Sequence, residues 1–175
     1  MAAKTAKRAR APRKTSKVAV EGVTPFLWFE KDAEEAARFY VSVFQGSRIV
    51  SASPMSVEFN LAGQDFYALN GGPTYKLTPA YSMFVRVKGQ EEVDRLWETL
   101  TEGGEPSMCG WLVDRFGLSW QIIPERLPQL LFHKDPEVAR RATQAMLRMT
   151  KIDVAALEEA AFSGRPRKAA RRAKA

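Results

Sequence analysis

The chain alternates apolar runs of two different periods, and the order in which they alternate is informative. Thr24-Pro25-Phe26-Leu27-Trp28-Phe29-Glu30 is a short aromatic and aliphatic run that suits a pleated, half-buried strand. Asp32 follows as a candidate N-cap, after which Ala33, Ala36, Ala37, Tyr40, Val41 and Phe44 recur at helical spacing while Glu34, Glu35 and Arg38 lie toward water. Gly46 ends this helix. Residues 47–52, 55–61 and 64–70 read as three short strands, with turn signals at Ser53-Pro54 and Ala62-Gly63. The first half is therefore βαβββ.

After Gly71-Gly72-Pro73 and a polar connection the same order returns. Residues 81–87 predict a strand, and 90–101 a helix with Val93, Leu96, Trp97 and Leu100 inward, stopped by Gly103-Gly104. Short strands are expected near 105–108, 110–114 and 118–123, with Arg115-Phe116-Gly117 turning between the last two. The fold class is α+β: two βαβββ modules, 21–73 and 80–126, each leaving one face of a four-stranded sheet to be covered by its twin. Residues 127–163 are helical in character. They hold a turn at 128–132, a helix over 137–149 introduced by Asp135-Pro136, and a last helix over 154–162 stopped at Gly164.

A length of 175 residues, 45% hydrophobic, closes one core of ordinary size or two very small ones. No apolar run approaches the roughly 18–20 residues of a membrane span, and the first residues are basic rather than apolar, so a cytoplasmic protein is expected. One cysteine, Cys109, and one histidine, His133, exclude any site needing several imidazole or thiolate ligands from one chain and argue against zinc fingers and Cys/His dyads. The net charge of +7 divides unevenly. Lys4, Lys7, Arg8, Arg10, Arg13, Lys14 and Lys17 precede residue 19 with no acid among them; Arg165, Arg167, Lys168, Arg171, Arg172 and Lys174 follow residue 163, again with none. These termini take 13 of the 27 basic residues and leave 14 against all 20 acids, a balance of −6 for the body. Segments 1–20 and 164–175 lack apolar side chains to offset backbone ordering, so both are expected to be disordered. They suit non-specific attachment to nucleic acid, a solubilising extension, or, at the N-terminus, an organelle presequence.

The stretches TPFLWFEKDAEEAARFYVSVF, ALNGGP, QEEVDRLWETL and CGWLVDRFGLSWQIIP resemble the PhnB-like branch of the vicinal-oxygen-chelate superfamily. That branch is often labelled glyoxalase-like, or a 3-demethylubiquinone methyltransferase-like domain. The resemblance runs from about Val23 through Ile152, and the ending KIDVAALEEAA shares it. It implies sheets curled around a shared cavity and pairing into homodimers, sometimes by exchange of modules. Its enzymes hold a divalent metal through four strand residues, and the matching positions fall near Pro25, Ala68, Ser82 and Gln121, with Asn70 on the same face as Ala68. Those side chains are poor ligands, so neither metal nor any other cofactor is expected. Methyl transfer on a doubly wound sheet would need a Gly-rich strand-to-helix turn, whereas Gly71-Gly72 enters a Pro-containing loop. Relatives carry a longer connection where only Ser51-Ala52-Ser53-Pro54 stands here, which leaves the cavity wall open on that side.

Strand alternation sends Leu27 and Phe29 to the face of Pro25, Phe84 and Arg86 to that of Ser82, and Ser119 and Ile123 to that of Gln121. With Asn70, Cys109 and Trp111 near the rim, the expected lining is apolar with a few polar fixtures, as in a small-molecule site. Gln121 stands out because a primary amide facing an apolar interior needs partners for both its atoms. Trp28, Trp97 and Trp120 are expected in the core, Cys109 as an inert thiol, Asp114 as the closer of its turn, Arg115 at the surface and His133 in a solvated loop. The expectation is a homodimer that holds a small organic molecule between its modules. Its competitors are a nucleic-acid accessory protein using the termini and a metal enzyme recruiting Glu58 or Asp65.

Overall fold

The computed structural model describes residues 17–163. Of the terminal basic residues Lys17 is described, and is exposed; Lys4 to Lys14 and Arg165 to Lys174 lie outside the described residues, as do the readings placed on them.

Both predicted modules form. The first comprises β1 (Phe26–Phe29), α1 (Ala33–Val43), β2 (Arg48–Ala52), β3 (Ser56–Leu61) and β4 (Gln64–Asn70); the second β5 (Ser82–Val87), α2 (Gln90–Thr101), β6 (Glu105–Pro106), β7 (Trp111–Val113) and β8 (Ser119–Pro124). Each module closes a mixed sheet of four strands, in the orders β1-β4-β3-β2 and β5-β8-β7-β6. The first and last strands of each module run parallel, as the crossover through its helix requires, and the remaining pairs are antiparallel.

One core runs through both modules. Leu27, Phe29, Val57, Phe59, Phe66 and Ala68 pack beneath α1, Leu112, Trp120 and Ile122 beneath α2, and the two sets belong to one cluster. Tyr40 of α1 and Phe44 just after it reach Trp120 of the second sheet, edge-on at 5.2 Å and stacked at 5.4 Å. Asp114 locks this contact. Its carboxylate is 3% exposed and accepts four hydrogen bonds, from Tyr40 Oη (2.8 Å), Trp120 Nε1 (2.8 Å), Phe116 N (2.8 Å) and Leu118 N (3.0 Å). The residue expected to close a turn therefore also joins the modules. Arg115 is exposed, its guanidinium 4.1 Å from the centre of the Phe39 ring.

The expected Asp32 cap does not form: its side chain makes no capping hydrogen bond. Asn70, at the end of β4, does that work instead. Its Oδ1 accepts from Ala33 N at 2.8 Å, and its Nδ2 donates to Pro54 O at 3.0 Å. In the ALNGGP turn a Cβ on Gly71 would lie 2.2 Å from the Trp28 ring, so only glycine fits there. Trp28 donates through Nε1 to Gly72 O at 2.9 Å. It is half-buried beside Tyr75 rather than in the core, whereas Trp97 is partly buried and packs against the core, and Trp120 is fully enclosed.

Three helices complete the described chain: α3 (Arg126–Leu131), α4 (Pro136–Met146) and α5 (Val154–Phe162). Asp135 caps α4 ahead of Pro136, and Asp153 caps α5. They form a second core around Leu130, Val138, Ala142, Ile152 and Leu157, joined to β8 through Ile123. Cys109 N and Gly110 N donate to the carbonyls of Met149 and Thr150, each at 2.7 Å, and Gln90 of α2 accepts from Val154 N while donating to Ile152 O. His133 lies in a loop as expected but is half-buried: its Nδ1 accepts from Asp135 N and its ring meets Phe162 edge-on. Among the described residues no helix is long and apolar enough to cross a membrane.

Candidate functional site

Each sheet has a face packed under its helix and an open face, and alternation decides which residue goes where. On the second sheet the open face carries Ser82, Phe84 and Arg86 of β5, Ser119, Gln121 and Ile123 of β8, and Trp111 of β7. Phe84, Gln121 and Trp111 stand opposite one another in register. Over one end of this face α3 and α4 bend back, and between them lies a groove of about 260 Å³. Phe84, Cys109, Trp111, Gln121 and Ile123 form its sheet side; Leu127, Pro128, Leu131, Phe132 and Met146 form its helical side. Gln121 Nε2 donates to Ser82 Oγ at 2.8 Å. Its Oε1 has no hydrogen-bond partner among the described residues and is the acceptor this apolar groove offers.

Cys109 reaches the groove from a left-handed backbone conformation, φ 61°, unusual for a side chain other than glycine. The two hydrogen bonds to residues 149 and 150 hold that turn in place. Ser119 lies on the same sheet face but is 1% exposed, with no hydrogen-bond partner for its Oγ. It does not line the groove.

The first module departs from expectation. Leu27 and Phe29 are 2% and 4% exposed in the core beneath α1, so they face away from any open surface. Phe26-Leu27-Trp28-Phe29 is apolar at every position, so period 2 gives no face, and packing against α1 selects Leu27 and Phe29. Asn70 shares their side of the sheet and has both amide atoms engaged, one of them on the start of α1. The open face of the first sheet instead presents Phe26, Tyr67 and Glu58 in one register row, with Phe26 60% and Tyr67 42% exposed. The Glu58 carboxylate beside Tyr67 raises its hydroxyl above the usual range.

The open faces of the two sheets therefore do not meet around one cavity within the chain. The modules join through α1 and Trp120. The crevice that remains between them, about 470 Å³, is bounded by Phe44, Leu61 and Phe66 on one side and Met83, Val85, Arg86 and Trp120 on the other. Of the sequence-derived ligand candidates only Phe84 touches it. The helical walls of the groove were not anticipated from the sequence.

A divalent metal does not fit. Of the four strand positions, Ala68 is fully buried under α1, and Ser82 and Gln121 are bonded to one another. Asp65 accepts from Asn60 Nδ2 at 2.6 Å, and although Glu58 and Asp65 both act on Tyr67, no third carboxylate, imidazole or thiolate joins them among the described residues. Among the described residues no three such side chains converge. A methyl donor of the doubly wound type does not fit either, because both sheets are mixed and residues 71–81 contain no helix.

Comparison with known proteins agrees with the fold. Residues 21–123, more than half of the chain, match the family model described as 3-demethylubiquinone-9 3-methyltransferase. Among solved structures, the PhnB protein from Bacillus cereus is 32% identical, with a TM-score of 0.56 over 59% of this chain and 99% of that one. A protein from Pseudomonas aeruginosa is 22% identical, with a TM-score of 0.50 over 61% and 98%. No curated protein matches. The chain belongs to the 3-demethylubiquinone-9 3-methyltransferase family, the PhnB-like branch of the vicinal-oxygen-chelate superfamily.

Proposed function

We propose that this protein binds a small, largely apolar organic molecule on the open face of its second sheet, without a metal, as a homodimer. The observation that carries the reading is the groove in which Phe84, Cys109, Trp111 and Gln121 converge. It is a concave apolar wall with one free amide oxygen, the usual make-up of a small-molecule site. The family name alone does not carry methyl transfer to this chain, since no donor site accompanies it.

What the chain leaves uncovered supports the dimer. Phe26 and Tyr67 lie side by side on one open face and Phe84, 57% exposed, on the other. A second copy that sets its first sheet over the Phe84–Gln121–Trp111 row covers both and closes the groove to water. Native mass spectrometry of gently purified full-length protein, with elemental analysis of the same sample, tests all parts together. The expected result is a two-chain mass free of stoichiometric divalent metal, carrying an organic mass that a Phe84→Ala, Gln121→Leu double variant loses. A stoichiometric metal, a single-chain mass, or an organic mass indifferent to the double variant would each overturn the corresponding part.

A further inference from the structure

The groove has a neighbour. It shares Phe84, Ile123 and Pro128 with a second chamber of about 350 Å³, whose remaining wall carries Arg86, Glu125 and Gln129. Arg86 follows Phe84 by two residues on β5 and is paired in register with Ile123, so it leaves the same sheet face one step farther along. Its guanidinium makes no hydrogen bond and no ion pair with any described residue, Glu125 included. The first chamber thus offers apolar and aromatic walls with one acceptor, the second an unpaired cation with the Glu125 carboxylate on the same wall. Two strand residues set them about 7 Å apart along β5.

Resting on the groove reading above, we infer that the joined chambers take a flat apolar monoanion. Its ring body lies against Phe84, Trp111 and Met146, its hydroxyl donates to Gln121 Oε1, and its carboxylate meets Arg86. A planar guanidinium recognises a carboxylate through paired N–H donors, which a neutral amide of the same shape cannot reproduce. The C-terminal helices supply one wall, so ligand choice is divided between the family fold and α3 and α4.

Three probes separate the terms: 6-hydroxy-2-naphthoate, its neutral counterpart 6-hydroxy-2-naphthamide, and 2-naphthoate, which lacks the hydroxyl. Each is titrated calorimetrically into the full-length protein and into Arg86→Met, Arg86→Lys and Gln121→Leu, with circular dichroism confirming the fold of each variant. The acid is expected to bind at least about ten-fold more tightly than the amide. Arg86→Met should erase that preference, Arg86→Lys should keep part of it, and Gln121→Leu should erase the advantage of the hydroxyl. Equal binding of acid and amide, with the Gln121 dependence intact, overturns the anion inference and leaves the groove reading standing. Acid binding unchanged by Arg86→Met places the anion elsewhere on this basic chain and also overturns it. If no probe binds, the inference fails, and an organic mass retained in native spectra decides the groove reading separately.

Discussion

Asp114 shows how much one carboxylate can hold. Each of its oxygens faces two donors, Phe116 N and Leu118 N on one side, Tyr40 Oη and Trp120 Nε1 on the other. Burial lifts its pKa, while the bonds from Trp120, Tyr40 and the two backbone amides pull it down. Asp114→Asn would turn an NH₂ group toward two donors, so a loss of about 2–4 kcal/mol is expected in urea unfolding. Tyr40→Phe removes a single bond to the same group and should cost about 1–2 kcal/mol. Cys109 gives the opposite kind of test. At φ 61° a β-branched side chain is excluded, so Cys109→Val should cost about 1–3 kcal/mol although it conserves size, whereas Cys109→Gly should unfold close to the natural chain. The turn-closing role of Asp114 was legible because Asp-Arg-Phe-Gly is turn chemistry. The bond to Tyr40 was not, because 74 residues separate the partners and nothing local marks them.

At the scale of elements the sequence read well wherever apolar spacing differed from its surroundings. Helix α2 fell on 90–101 as observed, and the hairpins divided at Ala62-Gly63, because polar and apolar positions alternate cleanly there. Strand β1 was located but turned to the wrong face. Four consecutive apolar residues carry no alternation, and a one-residue slip exchanges Leu27 and Phe29 for Phe26 and Trp28. The groove wall formed by α3 and α4 was hidden for a related reason: an amphipathic stripe says that something is covered, not what covers it. What seats those helices can be tested at Gln90 and Asp94. Gln90→Leu removes the bonds to Val154 N and Ile152 O, so faster amide exchange is expected in 149–163 with the first sheet unchanged. The Lys151 ammonium, then the Gln90 amide, hold the Asp94 carboxyl below its ordinary range. A depressed carboxylate contributes stability above its unfolded pKa and loses it as the pH falls through the folded one. Asp94→Asn should therefore flatten the acid limb of unfolding stability measured from about pH 6 to pH 3.

For the whole molecule two features call for partners of different kinds, and they can be separated. The row of Phe26 and Tyr67 is largely apolar, with Glu58 at its end, so its partner is a largely apolar surface such as the facing groove of a second copy. Phe26→Lys should shift light-scattering mass from two chains toward one, with no effect on the circular dichroism of an exposed strand position. We propose for the 13 terminal Lys and Arg residues an attachment to nucleic acid through charge alone, the body between them carrying −6. Phosphate neutralisation releases counterions, so affinity for random duplex DNA should fall steeply with added salt. Removing residues 1–18 and 164–175 takes away every one of those cations and leaves a body that repels the duplex, so the gel shift should vanish while the two-chain mass persists. Loss of both on trimming would mean that the termini hold the dimer. A shift that survives trimming would mean that an arginine-bearing surface of the body, such as Arg140 and Arg148 on and beside α4, binds the duplex against the net charge.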